Sequence, residues 1–286
     1  MKFIHLTDPH LVARPQKLFD LDLHQRLDAA VTSINKNQSD AEFCMVTGDL
    51  THWAEPEAYA EVIESLNRLA MPWHPLLGNH DSRIVARQAM PDATWSDDGF
   101  LQYLVETPVG PFIVLDTLRD GRPTGWLCEA RLGWLRAQLE TARDAGRQAF
   151  VFMHHAPMVL GITKMDKIRL RNSDDFAAVI DGFDNIRHLF FGHLHRACHG
   201  SWRGIPFSTV RATAHQIALT LEPDAPLFGS GENPAYAVVL VSDEAVVIHD
   251  HSYLEEDNIF PYDRGFPETP GDNIPPLSGK FGDDPD

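Results

Sequence analysis

The sequence predicts one α/β domain with a modest elaboration. Its 286 residues are 43% apolar, which is enough to bury a large core. Short apolar runs typical of buried strands alternate with stretches in which apolar residues recur at helical spacing. After about residue 100 the pattern changes and predicts antiparallel strands beside the parallel ones.

Five apolar runs are predicted to be strands, and each ends at a group of polar residues. In chain order they are residues 2–7, 42–47, 72–77, 148–153 and 186–191. Helical spacing predicts helices from Leu23 to residues 35–37, from Pro56 to Leu69, around 132–139 and from about Asp174. A loop that contains Asp166 is predicted before the last of these helices, and residues 222–234 are a second predicted loop.

The remaining apolar segments predict further β-structure. Residues 100–106 and 112–116 form a predicted hairpin, and the β-rich segments 201–221 and 235–253 could complete a second sheet. We therefore expect a catalytic domain over residues 1–253, with a possible cap or contact insertion near 198–212. Residues 254–286 are acidic, rich in Pro and Gly and aperiodic, which predicts a small C-terminal lid or dimerisation arm.

Composition restricts the classes of function. The formal net charge of −17 argues against a protein that grips a nucleic-acid backbone, so we expect a small substrate and no stable nucleic-acid partner. The charged Asp8 precedes any signal-peptide-like run, and no later run is long enough to span a bilayer. Cys44, Cys128 and Cys198 are widely spaced, as is typical of reduced thiols. A soluble, cytoplasmic protein is expected, with no membrane partner.

Metal-binding side chains follow the ends of the five predicted strands. They are Asp8, His10, Asp49, Asn79, His154, His193 and His195. Because the carboxyl ends of strands in an open α/β sheet meet at one crevice, all seven can converge. Four imidazoles, two carboxylates and one amide suit Zn, Mn, Fe or Co better than Ca. Seven ligands exceed the need of one ion, whereas two ions that share a carboxylate would use them all.

The order of the motifs adds a resemblance to a known family. D-x-H at 8–10, G-D at 48–49, G-N-H-D at 78–81, H-H at 154–155 and G-H-x-H at 192–195 resemble the motif set of the calcineurin-like metallophosphoesterases. Within that superfamily the chain is most similar to bacterial glycerophosphodiesterases and class III cyclic-nucleotide phosphodiesterases. Residues 125–127 and 213–216 support this branch, while Ala156 departs from its usual Pro.

The resemblance implies a four-layer α-β-β-α sandwich of two mixed sheets flanked by helices. It also implies two divalent ions. The first would be held by Asp8, His10, Asp49 and His195, and the second by Asp49, Asn79, His154 and His193. Asp49 would be the bridge.

Catalytic and substrate-binding roles follow from the same resemblance. His80 and Asn79 would contact the phosphate, and His80 would protonate or stabilise the leaving group. The sequence neighbour Asp81 is expected to orient His80, and His215 would lie on the substrate side. His155 is expected to pack beside the ligands without binding metal.

The predicted function is hydrolysis of small phosphodiesters by a hydroxide that bridges two metals. Glycerophosphodiesters, cyclic nucleotides and phosphonate monoesters are all open as substrates. The alternative is a phosphomonoesterase or phosphoprotein phosphatase, although the latter branch carries Asp-Arg-Gly after its second motif, where this chain has Leu50-Thr51-His52. A nuclease is disfavoured by the charge, a lipid-precursor pyrophosphatase by the lack of an amphipathic docking segment, and an inactive scaffold by the complete ligand set. The resembling branch also implies a homo-oligomer, dimeric or higher.

Overall fold

Two mixed β-sheets pack face to face in the computed structural model, which describes residues 1–256. The strands are β1 (Lys2–Leu6), β2 (Cys44–Thr47), β3 (Trp73–Leu76), β4 (Tyr103–Val105), β5 (Phe112–Val114), β6 (Ala149–Met153), β7 (Ile186–Phe191), β8 (Cys198–Trp202), β9 (Ile205–Thr209), β10 (Gln216–Ile217), β11 (Gly229–Ser230), β12 (Tyr236–Val241) and β13 (Val246–His251). The helices are α1 (Leu23–Asn37), α2 (Pro56–Leu66), α3 (Arg83–Ala89), α4 (Glu129–Asp144), α5 (Thr163–Asp166) and α6 (Ser173–Ile180).

Each large sheet combines a run of adjacent parallel strands with antiparallel strands. The first has the order β13-β12-β1-β2-β3, with β1, β2 and β3 parallel. The second has the order β4-β5-β6-β7-β9-β8, with β5, β6, β7 and β9 parallel. A small third sheet pairs β10 with β11. Because they are parallel within each sheet, the strands β1, β2, β3, β6 and β7 have their carboxyl ends on one side of the sandwich.

Alternation along β6 explains the layering. Phe150 and Phe152 join the core shared by the two sheets, whereas Val151 and Met153 join the core under α4 and α6. Period-two alternation with both faces apolar is expected of a strand covered on both sides. Within the shared core the Phe3 ring lies 5.1 Å from Phe112 and 5.9 Å from Phe152. The expected α-β-β-α sandwich is confirmed.

Three local predictions were wrong. α2 ends at Leu66 rather than at Leu69, because Leu69 donates its N–H to the Leu66 carbonyl in a turn beyond the helix. The predicted loop around Asp166 contains α5, whose first turn is closed when Asp166 accepts hydrogen bonds from Leu160 N and Gly161 N. The predicted loop 222–234 contains β11.

The apolar periodicity of the sequence also missed α3, which begins shortly after the G-N-H-D motif. Ser82 caps this helix by accepting a hydrogen bond from Val85 N. Among the seven helical residues only Ala86 is buried. No apolar stripe marks the helix in the sequence, so periodicity could not find it.

The C-terminal arm stays a prediction. Residues Met1–Tyr253 form one compact unit, but 257–286 lie outside the described residues. The proposed contact insertion near 198–212 contains β8 and β9, with β8 at the edge of the second sheet. Across residues 1–256, no helix is long and apolar enough to cross a membrane.

Candidate metal centre

Five of the seven predicted ligands have a left-handed backbone. The φ angles are 50° for Asp8, 46° for His10, 47° for Asp49, 68° for His193 and 50° for His195. L-residues adopt such angles rarely, at a cost of about 1–3 kcal/mol each, and they concentrate at functional sites. The sharp turns after β1, β2 and β7 therefore aim these side chains into one space.

Two glycines allow the loops to approach closely enough. A Cβ at Gly78 would lie 2.2 Å from Asp49 Oδ1, and a Cβ at Gly192 would lie 2.3 Å from the Thr47 carbonyl oxygen. Either contact is impossible without displacing the facing loop. The glycines of G-N-H-D and G-H-x-H are thus required by packing against Asp49 and against the end of β2, respectively.

The first group of candidate ligands comprises Asp8, His10, Asp49 and His195. Their potential ligand atoms lie within 4.8 Å of one another, and all four residues are buried. His195 Nε2 is 3.3 Å from Asp8 Oδ1, and His10 Nε2 is 3.4 Å from Asp49 Oδ2. Donors about 2.0–2.1 Å from a tetrahedral ion lie about 3.3 Å apart. The spacing fits a single transition-metal ion.

The second group meets the first at Asp49. His154 Nε2 is 3.3 Å from Asp49 Oδ2, the same oxygen that faces His10. His154, His155 and His193 bring nitrogen atoms within 4.8 Å of one another. One carboxylate oxygen thus lies between two groups of imidazoles, as a bridging ligand would.

Buried atoms without hydrogen bonds test whether these residues fit a metal. Within residues 1–256, Asn79 Oδ1, His154 Nε2 and His193 Nε2 are buried and have no hydrogen-bond partner. Leaving such atoms unsatisfied is costly, and coordination would satisfy them. All three belong to the predicted second site. The donor set and its missing partners therefore fit a bound cation.

Hydrogen bonds on the far side of the rings fix which nitrogen faces the centre. His154 Nδ1 donates to the Thr47 carbonyl at 2.8 Å, and His195 Nδ1 donates to the His215 carbonyl at 2.8 Å. In the neutral imidazole each Nε2 then carries a lone pair. Metal-binding histidines in proteins are commonly held in this way.

The carboxylates are oriented by backbone donors. Asp8 Oδ2 accepts from His193 N at 3.0 Å and from the Thr7 hydroxyl at 2.5 Å, while its Oδ1 faces His195. His80 N donates to Asp49 Oδ1 at 2.8 Å, while Oδ2 faces the imidazoles. Each aspartate keeps one oxygen for the centre.

The pKa values of Asp49 and His193 are shifted in the directions that metal binding needs, whereas the pKa of His154 is shifted the other way. Burial would raise the pKa of Asp49, but the imidazoles of His154 and His10 hold it well below its usual value. Burial, reinforced by neighbouring imidazoles, lowers the pKa of His193 well below its usual value. Burial also lowers the pKa of His154, but Asp49 outweighs it and raises that pKa to about 9. Asp49 is thus ionised and His193 neutral, while a cation would compete with the proton on His154.

His80 lies beside this centre, but its orientation differs from the sequence-based expectation. His80 Nδ1 donates to the His52 carbonyl at 2.9 Å. Its ring stacks on the His52 ring at 4.5 Å. Asp81 instead accepts from Gly78 N at 2.9 Å and from the Tyr59 hydroxyl at 2.8 Å. The expectation that Asp81 orients His80 was wrong because the Asp81 carboxylate braces the loop.

Sequence reasoning missed His52 as a member of the site. Its Nδ1 lies 2.9 Å from His10 Nδ1, so it contacts a predicted ligand as well as stacking on His80. The available signal was its position three residues after Asp49, on the loop that leaves β2. The predicted substrate-side residue His215 is also adjacent, with its ring 4.5 Å from His195 and 5.5 Å from His10.

His155 lies closer to the centre than packing alone requires. Its Nδ1 is 2.8 Å from the Thr117 hydroxyl, and its Nε2 is buried without a hydrogen-bond partner among residues 1–256. A Cβ at Gly125 would lie 2.6 Å from the His155 ring, so the segment 125–127 supports this imidazole. That His155 binds no metal stays a prediction.

Comparison with known proteins decides the family. Residues 1–197 match the calcineurin-like phosphoesterase family. The chain belongs to this family. The resemblance stated from the motifs is confirmed, and so is the branch: this phosphoesterase is similar to cyclic-nucleotide and glycerophosphodiester phosphodiesterases.

Three relatives illustrate the similarity. A probable cyclic nucleotide phosphodiesterase of Rhodopseudomonas palustris is 41% identical, over 91% of this chain and 95% of the relative. A glycerophosphodiester phosphodiesterase of Enterobacter lignolyticus is 28% identical over 80% of this chain and 83% of the relative. A 3′,5′-cyclic adenosine monophosphate phosphodiesterase of Escherichia coli is 27% identical over 79% of this chain and 82% of the relative.

Solved structures support the fold. A dimetal phosphatase from Danio rerio superposes with a TM-score of 0.69, covering 88% of this phosphoesterase and 96% of that chain at 15% identity. At this level of identity the comparison concerns the architecture alone.

Proposed function

We propose that this phosphoesterase hydrolyses small phosphodiesters with two divalent metal ions held by the seven predicted ligands. The observation that carries the proposal is the position of Asp49 Oδ2, which lies 3.4 Å from His10 Nε2 and 3.3 Å from His154 Nε2. A carboxylate oxygen between two groups of imidazoles is suited to bridge two ions. The three buried, unpartnered atoms of Asn79, His154 and His193 support the second ion.

The ligand chemistry favours Mn, Fe, Zn or Co, because imidazole nitrogen predominates over oxygen. When bound, two such ions would activate water as the nucleophile and neutralise charge on the phosphate. Asp8 and Asp49 leave two divalent ions with a net positive charge, so an anionic diester is attracted although the whole chain has a formal charge of −17.

The residues of the chain supply positioning and proton transfer. His80 Nδ1 donates a hydrogen bond to the His52 carbonyl. His80 Nε2 is therefore available to contact the phosphate and, when the ring is charged, to protonate the departing oxygen. Asn79 would hold the second ion and contact the phosphate through its amide. His215, beside His195 and His10, would contact the substrate.

A phosphodiester is favoured over a phosphomonoester as substrate, because the three relatives are named as phosphodiesterases. The decisive experiment compares hydrolysis of bis(p-nitrophenyl) phosphate and p-nitrophenyl phosphate after the chain is loaded with Mn²⁺. Faster turnover of the diester, with two ions per chain by elemental analysis, supports the proposal. Preference for the monoester would replace it with a phosphomonoesterase, and absence of turnover on both would indicate an inactive scaffold.

We also propose a cytoplasmic homo-oligomer. The edge strand β8 presents the exposed residues His199, Gly200 and Ser201, and unpaired strand edges are natural contact surfaces. Light scattering of the full chain should give a mass of at least two protomers. A monomer at micromolar concentration would contradict the proposed assembly without affecting the proposed activity.

A further inference from the structure

An apolar cavity of about 460 Å³ lies beside the candidate metal centre. Its side-chain lining is formed by Phe19, Leu21, Ile217, Leu227, Phe228 and His215, and backbone of β11 completes it. Among the described residues that line it, none is charged at neutral pH. The volume falls in the range of about 300–1,000 Å³ that is usual for small-molecule sites.

His215 joins the cavity to the catalytic side of the molecule. Its ring centroid lies 4.8 Å from that of Phe19 and 4.5 Å from that of His195. One imidazole therefore separates the cavity from a predicted metal ligand. A group attached to a phosphate at the centre would extend over His215 into the cavity.

The backbone at Phe19 indicates that its side chain serves an occupant. Phe19 and Asp20 have φ angles of 53° and 59°, and Leu21 N donates to the Leu18 carbonyl across them. Both central residues of such a turn favour Gly, Asn or Asp. Phe19 accepts this backbone strain, yet 67% of its surface is exposed. Burial within the chain does not compensate for the strain, whereas a ligand stacked on the ring would.

Exposed apolar side chains on the opposite wall complete the pattern. Phe228 is 52% exposed and Leu227 is 44% exposed. Ser230, which carries the one hydroxyl in the lining, donates to the Glu232 carboxylate, which also accepts from Arg196. The cavity thus offers two phenylalanine rings, the His215 imidazole and aliphatic surface, and its one hydroxyl is already engaged.

We propose that this cavity, the Phe19–Phe228 pocket, binds the nucleobase of a cyclic nucleotide. The inference rests on the proposed function and narrows its substrate class. A flat heteroaromatic base stacks favourably on phenylalanine. A glycerol group would exchange hydrated hydroxyls for apolar walls. A quaternary ammonium group is recognised by cages of aromatic rings, whereas this pocket has two phenylalanines and no carboxylate in its lining.

The first test measures binding, so that it does not depend on turnover. The probes are the phosphonate analogues of AMP and of ribose 5-phosphate, whose carbon–phosphorus bond resists phosphoester hydrolysis. Calorimetry with the Mn²⁺-loaded protein should give about 10–100-fold tighter binding of the analogue that carries the base. Phe19→Ala should remove most of that advantage and leave the affinity for the base-free analogue unchanged. Equal affinities for both analogues in the wild type would overturn the proposal.

Leu240→Ala is the matched control. Leu240 is an exposed apolar residue of β12, 39% exposed, and it pairs with Lys2 at the end of β1 opposite Asp8. The Leu240→Ala variant should bind the analogue that carries the base more tightly than the base-free analogue, by the same factor as the wild type. Because Phe19 is exposed, its truncation should not unfold the chain, and Phe228→Ala provides a second removal of aromatic surface from the other wall.

The second test separates the pocket from the activity. Cyclic AMP and the base-free ribose 3′,5′-cyclic phosphate differ only in the base, and Phe19→Ala should lower kcat/KM for the first about tenfold and spare the second. A base preference in binding without hydrolysis of any diester would support the pocket and refute the proposed function. If both cyclic phosphates are hydrolysed and Phe19→Ala lowers kcat/KM equally for the two, the proposed function is supported and the pocket is refuted. Faster, Phe19-dependent turnover of glycerophosphocholine would also overturn the choice of a base.

Discussion

Asp81→Asn tests whether Asp81 braces the loops or orients the catalytic histidine. Asp81 Oδ2 accepts from Gly78 N at 2.9 Å and from Leu50 N at 3.2 Å. Its Oδ1 accepts from Thr51 N at 3.3 Å and from the Tyr59 hydroxyl at 2.8 Å. The carboxylate therefore ties the loop after β3 to the loop after β2, and these loops carry Asn79 and Asp49.

The expected loss of stability follows from the number of hydrogen bonds, because each carboxylate oxygen of Asp81 accepts from two donors. Asparagine keeps one oxygen, and its amide NH₂ faces two donors whichever way the side chain turns. Each buried donor left unsatisfied costs about 1–3 kcal/mol, so two of them lower the free energy of unfolding by about 2–6 kcal/mol. Asparagine also removes a charge that burial and Asp49 disfavour, so the net loss should lie toward the lower end of that range. Tyr59→Phe removes one donor and leaves the carboxylate in place. It should cost about 1.5–3 kcal/mol.

Urea unfolding of metal-free protein at about pH 8 measures this difference. Burial, followed by the charge of Asp49, raises the pKa of Asp81 to about 6, so the wild-type carboxylate is ionised under these conditions. Calorimetry should also show weaker Mn²⁺ binding, since both supported loops carry ligands. Unchanged stability and metal affinity, combined with a loss of kcat like that of His80→Ala, would refute the bracing role and restore Asp81 as the residue that orients His80.

Three further substitutions address other parts of the molecule. Asp49→Asn should lower occupancy of both metals, because a neutral amide bridges two cations poorly; two ions per chain at wild-type affinity would contradict this. His80→Ala should keep both metals and reduce kcat by about 10²–10⁴, more for an alkoxide leaving group than for p-nitrophenolate; metal loss would show that the ligands were assigned wrongly. Phe19→Asn should raise the free energy of unfolding by about 1 kcal/mol, since Asn tolerates the left-handed backbone, while the base preference falls; reduced stability in urea would argue against strain at Phe19.

The sheets could be predicted from the sequence because their signal is local. All residues of β6 and four of the six residues of β7 are apolar. β6 runs directly into His154, and β7 reaches His193 after Gly192. The ligand-bearing turns can be recognised in the sequence by a Gly followed by Asp, Asn or His, because only glycine permits the contacts found at Gly78 and Gly192. For such segments a few neighbouring residues determine both the element and the place where it ends.

Other features depend on residues far apart in the chain. Asp81 was expected to act on its neighbour His80, but its carboxylate accepts hydrogen bonds from Leu50 N and from the Tyr59 hydroxyl, which lie far from it in the sequence. The Phe19–Phe228 pocket joins segments more than 200 residues apart. No periodicity or spacing relates these positions, so only the folded chain could bring them together.

The strained backbone and the hydrogen bonds around it support a preorganised centre. Left-handed residues such as Asp8, Asp49 and His193 would relax if nothing held them. Backbone donors hold both carboxylates, and backbone carbonyls hold His154 and His195. These partners are groups of the chain itself. The sandwich therefore sustains the strain, and its loops hold the side chains in the directions that a metal site requires.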